Sequence, residues 1–160
     1  MPALGMKPMI NRFPVKLLAA FGFLLNMLWE FGQCLFLYDM TGWSIWRTAA
    51  FMSAAIAGDV FIVLGVVAAS WLSLGRSMPV LLSSRGWITT FALGLVAGVL
   101  LEWFARALNL WSYSALMPTI SVAGESVGLA PIIQVAVLPA SSLYCVVLYQ
   151  GRKDTSQFQQ

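Results

Sequence analysis

Four long apolar stretches separated by short polar connections set the pattern of the chain: about Val15 to Tyr38, Thr48 to Leu72, Trp87 to Leu108 and Leu129 to Tyr149. Each reaches the roughly 20 residues that a helix needs to cross a hydrocarbon layer of about 30 Å. The short alternating segments of a membrane β-barrel do not occur. The pattern predicts an all-α polytopic membrane protein, a single domain over residues 1–160 with four transmembrane helices in an antiparallel bundle. The longest connection, 109–128, is predicted to be an outer loop that folds back over the bundle, residues 1–14 a lead-in along the headgroups, and 151–160 a disordered polar tail.

Composition agrees with this pattern, since 60% of the 160 residues are hydrophobic and only 9% charged, far from the balance of a soluble domain. The net charge of +3 does not imply a nucleic-acid surface, because the basic residues are sorted by connection. Lys7, Arg12, Lys16, Arg76, Arg85, Arg152 and Lys153 fall on one side and only Arg47 and Arg106 on the other, which predicts both termini in the cytoplasm of a cell with an inner membrane. No small-residue cleavage site follows the basic start, so the first span reads as a retained helix. Cys34 and Cys145 are expected near opposite faces and so too far apart in depth to pair. The chain has no histidine, which argues against haem, zinc and imidazole catalysis, and no metal site or cofactor is expected.

Within the spans the polar residues are few and patterned. Asn26, Glu30 and Gln33 recur at intervals of four and three, which places them on one face of the first helix. Asp59 interrupts the second span near its middle, among the small residues Ala54, Ala55, Gly58 and Gly65. In the third, Gly94, Gly98, Glu102 and Arg106 follow at intervals of four, a stripe that lets another helix approach closely and ends in an ion-pair spacing. The fourth carries Gln134, and Pro139 inside it, which should kink the helix or free a carbonyl. An ionisable residue within a span is costly and by default marks a functional site.

With the termini inside, Glu30, Gln33, Glu102, Arg106 and Gln134 all fall in the outer half of the bilayer, and Asn26 and Asp59 near its midplane. Three carboxylates then share one layer with one fixed cation. At low dielectric at least one of them must hold a proton or face a bound cation. That is the raw material of an acid–base pair, and equally of a proton or cation pathway.

Asn26, Trp29 and Glu30 inside an apolar helix resemble the N-x-x-W-E pattern of integral-membrane terpene cyclases, which protonate an alkene or epoxide with a membrane-embedded acid. Trp111, Ser112 and Tyr113, followed by Gly128 and Pro131 to Gln134, resemble the W-x-Y and P-x-x-E spacing of membrane lycopene cyclase domains. Gln134 stands where those domains carry the acid. The chain as a whole is similar to small four-helix bacterial membrane proteins. The resemblance implies acid–base isomerisation or cyclisation of an isoprenoid-like lipid. Glu30 would donate the proton, with Asp59 or Glu102 as the second carboxylate; Asn26, Gln33, Arg106 and Gln134 would set the polar surroundings, and Trp29, Trp103, Trp111 and Tyr113 would face a carbocation. The alternatives are a small transporter or proton pathway, in which a homodimer would enlarge the route, and an accessory subunit of a membrane complex. The expected partners are the bilayer and a lipophilic small molecule, not nucleic acid.

Overall fold

A computed structural model describes residues 13–157 of the chain, with side chains over 13–152. The expected lead-in lies mostly outside the described residues. Four helices are long and apolar enough to cross a membrane, as a multi-pass membrane protein requires: α1 (Val15–Phe36), α2 (Ile45–Ser73), α4 (Ser84–Ala107) and α5 (Leu129–Gln157). Large apolar side chains such as Leu28, Leu35, Ile45 and Phe61 are mostly exposed, a surface suited to hydrocarbon and not to water.

Local chemistry sets the helix ends. Pro14 immediately precedes α1, where its missing N–H costs nothing. The Ser44 hydroxyl caps α2 by accepting from the Arg47 N–H at 3.3 Å, so α2 begins three residues before the apolar run at Thr48. A single extra turn, α3 (Met78–Leu81), lies in the connection between α2 and α4 and buries both its end residues. The last helix does not stop where the apolar run stops. It continues through the polar sequence to Gln157, which corrects the expectation of a disordered tail from Gly151.

The connection 109–128 departs from the all-α expectation. It contains a hairpin of β1 (Thr119–Val122) and β2 (Glu125–Gly128), paired antiparallel with Val122 opposite Glu125. Its two turn residues, Ala123 and Gly124, both have positive φ, 47° and 87°, the geometry that matches the twist of a tight hairpin. Just before the hairpin, residues 112–114 are tied to the end of α1. The Asp39 N–H donates to the Ser112 carbonyl and the Ser114 N–H to that of Leu37, both at 2.9 Å, while the Ser114 hydroxyl donates to the Phe36 carbonyl at 2.6 Å.

α5 touches each of the other three long helices and is the most buried of them. Its tightest neighbour is α4. A side chain at Gly98 would come within 3.1 Å of the Ile132 backbone, and one at Gly94 would collide with the carbonyl oxygen of Val135. That carbonyl is special, because Pro139 four residues later has no N–H to give it. The backbone of α4 thus lies against a carbonyl left bare within α5.

The buried interior divides along the helices. At the end that carries α3, Leu18, Val63, Val67, Leu81, Leu143 and Val146 form a continuous apolar core. Of the polar residues buried there, Ser70 and Thr90 donate to carbonyls of their own helices at 2.9 Å, and the Ser142 hydroxyl is buried without a hydrogen-bond partner. Toward the hairpin end the interior is polar.

Candidate functional site

The polar interior is organised by one amide. Gln134, 3% exposed, reaches from α5 with its Nε2 2.9 Å from Asn26 Oδ1, 3.1 Å from Glu30 Oε1 and 2.9 Å from Asp59 Oδ2. Its own Oε1 accepts from Gln33 Nε2. Three acceptors around the nitrogen fix which end of the amide is which. The nitrogen has only two hydrogens for them. The carboxyls of Glu30 and Asp59 thus meet at one amide nitrogen, and two carboxylates held that close away from water favour sharing one proton. The Cys34 thiol, 3.7 Å from Glu30 Oε2, adds a weak donor, and Asn26 turns its amide N–H to the Gly22 carbonyl at 2.8 Å.

A second polar group surrounds Glu102 on α4. The Tyr113 hydroxyl donates to its Oε2, and the Gly128 N–H lies 2.9 Å from the Tyr113 oxygen and 3.4 Å from Oε2. Burial, followed by the bond to Glu102, pushes the Tyr113 hydroxyl above the ordinary tyrosine value, so it keeps its proton and acts as a donor. The space at Gly128 is tight, since a side chain there would meet the Tyr113 ring, Met117 and Pro131 at 3.2 Å. Arg106 does not close on Glu102 as the four-residue spacing suggests. Its Nη1 donates to the Trp111 carbonyl at 2.8 Å and its guanidinium lies 4.8 Å over the Tyr113 ring. The cation therefore braces the loop, which in turn presents a hydroxyl to the carboxylate.

Between these two groups is a cavity of about 310 Å³. Glu30, Asp59, Gln134 and Glu102 reach its wall, and the remainder is mainly apolar, with Ala55, Ile62, Leu101 and Val135 among the lining and Tyr38, Phe51, Phe104 and Trp111 as its aromatic residues. Tyr38 and Trp111 meet edge to face at 6.0 Å at the end tied down by residues 112–114. A concave apolar space with a few convergent polar groups is the usual form of a small-molecule site.

Of the residues expected from the sequence, Glu30, Asp59, Glu102, Trp111 and Gln134 line the cavity. Asn26 and Gln33 stand behind Gln134, and Arg106 and Tyr113 stand behind Glu102. Trp29 and Trp103 are not among the lining residues, and their indole N–H groups are buried without a partner. Sequence reasoning passed over Tyr38 and Phe51. Phe51 lies eight residues before Asp59 on α2, and that helical spacing is a signal that would have found it; Tyr38 lies beyond the end of α1 and is placed by its bridge to Tyr113, which spacing does not reveal. Among the described residues no group of three or more His, Cys, Asp or Glu side chains is arranged to hold a metal ion. Comparison of the chain with protein-family models, curated proteins and solved structures finds no match.

Proposed function

We propose that this chain is an enzyme of the inner membrane that isomerises or cyclises an isoprenoid-like lipophile by proton transfer inside the bilayer. In this reading the four helices form an antiparallel bundle with both termini in the cytoplasm, as the seven-to-two sorting of basic residues favours. The observation that carries the reading is that the carboxyls of Glu30 and Asp59 meet at the Gln134 amide nitrogen, 3.1 and 2.9 Å away, at the wall of an otherwise apolar cavity.

Such a pair holds one proton and one negative charge between two oxygen acids; giving the proton to an alkene carbon leaves two ionised carboxylates, held by the Gln134 amide and offset by the carbocation formed in the cavity. The faces of Tyr38, Phe51 and Trp111 suit that cation, and a mainly apolar wall offers water few groups to bind beside it. A proton lost from a neighbouring carbon to the pair restores its starting charge and quenches the cation; if Glu102 takes that proton instead, it must pass it back to the pair before the next turnover. One proton is added and one removed, so the step is redox-neutral.

A conduction pathway would need a polar route to both faces. The apolar core at the α3 end, with Ser70 and Thr90 turned back on their own helices, favours a closed site instead. The test is deuterium exchange: the protein in lipid nanodiscs, incubated with a bacterial lipid extract in heavy water, should place deuterium at carbon in an isoprenoid fraction. Glu30→Gln, which keeps the shape but not the exchangeable acid, should abolish the label. No carbon-bound deuterium with the wild-type protein would sink the proposal.

A further inference from the structure

The cavity is closed at both ends of the molecule. Toward the hairpin, Tyr38 and Trp111 cap it, and the Asp39–Ser112 and Leu37–Ser114 backbone bonds at 2.9 Å hold that cap down. Toward α3, the apolar core begins immediately beyond Ile62. Yet the cavity is not sealed, because several residues of its wall are also on the outside of the protein. Leu101 is 43% exposed, Phe104 55% and Leu110 57%, and Gly58 on α2 is exposed as well. These residues belong to α2, to α4 and to the chain just after α4, and all are apolar. A side chain added at Gly58 would meet nothing within 4 Å.

We infer that the cavity fills sideways from the hydrocarbon layer, through a gap between α2 and α4 whose threshold is Gly58, and that its ligand is a membrane-dissolved lipophile with one polar end. An opening rimmed only by exposed apolar side chains excludes water-borne polar solutes, for which no hydrogen-bonding group is offered along the way. The polar end comes to rest at Gln134 and the carboxyls of Glu30 and Asp59, the last of which directly follows Gly58 on α2. The hydrocarbon chain trails back between Leu101 and Gly58 into lipid, so chain length beyond the cavity is tolerated. Gly58 acts here as a specificity residue: its missing side chain is the width of the doorway.

This inference rests on the reading of the cavity as the substrate site, but not on the proton-transfer step. The experiment therefore reads occupancy, not turnover. A long-chain alcohol bearing a photoactivatable diazirine is supplied within the lipid of nanodiscs, and cross-linked residues are mapped by mass spectrometry. In the wild type, cross-links are expected on cavity residues of α2, α4 and α5, including Ala55 and Val135. Gly58→Phe should keep its melting temperature and lose roughly tenfold in cavity labelling, the occupancy change that matches the cost of overpacking a small space. Gly58→Ala should retain most of it. Cavity labelling of the wild type without carbon-bound deuterium in the exchange assay would leave the doorway standing and sink only the chemistry, which separates the two. If Gly58→Phe does not fold, Leu101→Trp on the opposite jamb carries the same expectation. Equal cavity labelling in a folded Gly58→Phe or Leu101→Trp protein overturns the inference, and so does labelling confined to outward-facing residues such as Leu28 and Phe61 in the wild type.

Discussion

The two halves of the interior are held together in opposite ways. At the α3 end, Leu18, Val63, Val67, Leu81, Leu143 and Val146 make many weak contacts that depend on volume and hardly on angle. At the hairpin end, the amide of Gln134 faces Asn26, Glu30 and Asp59 and is itself met by Gln33, so three helices depend on a few directed bonds. The first arrangement degrades gradually when a residue is trimmed. The second is a network in which losing the central member strands all the others. Apolar packing fills the first half, and directed polar bonds span the second.

The sharpest way to break both halves is at the stripe of α4 that runs through them. Gly94→Leu would drive a side chain into the Val135 backbone, and no monodisperse folded protein should be recovered in mild detergent. Gly98→Leu, where the contacts are 3.1 Å and not a collision, should cost about 1 to 3 kcal/mol in thermal unfolding. Unchanged stability at either position would mean that α4 and α5 do not pack as described.

Removing the hub should follow close behind. Gln134→Leu leaves Asn26, Gln33 and the carboxyl pair without their common partner, and a loss of about 3 to 5 kcal/mol is expected by analogy with broken buried charge pairs. In combination with Asp59→Asn the two losses should fall well short of additive, as they do for members of one network. Leu143→Ala in the apolar core should cost about 2 to 3 kcal/mol and add fully to Gln134→Leu. Additivity in both cases would erase the contrast between the two regions.

The smallest effect is expected at the loop. Tyr113→Phe removes one donor to Glu102 while keeping the ring under Arg106, and should lower stability by about 1 kcal/mol. Arg106→Gln should cost more than Tyr113→Phe, because it releases both the Trp111 carbonyl and the Tyr113 ring. The reverse order would show that the cation braces nothing.

Much of this was legible in the sequence for a simple reason: a helix in hydrocarbon must be apolar, so every polar residue stands out. Glu30, Asp59, Glu102 and Gln134 could be picked out without coordinates, and the shared layer followed from their depth alone. What could not be read was direction around each helix and across the loop. Spacing places Arg106 beside Glu102, but spacing says nothing of the Trp111 carbonyl that competes for it five residues on. The hairpin at 119–128 escaped because four-residue strands are too short for alternation to be distinctive, and only the Ala123-Gly124 turn marks them. The helical extension to Gln157 escaped for the opposite reason, because apolar length measures the membrane and not the helix.

Pro139 and Gly94 carry a consequence for how such a chain can change over generations. The carbonyl of Val135 is bare because residue 139 is a proline, and the backbone of α4 comes up against it because residue 94 lacks a side chain. Replace the proline with leucine and an N–H returns to draw that oxygen back into its own helix, so the neighbour loses its contact; replace the glycine first and the oxygen is pushed aside with no bond to fall back on. Neither position is free to drift alone. The two are inherited as one character, and lineages that abandon the proline should be found to have relaxed the glycine as well.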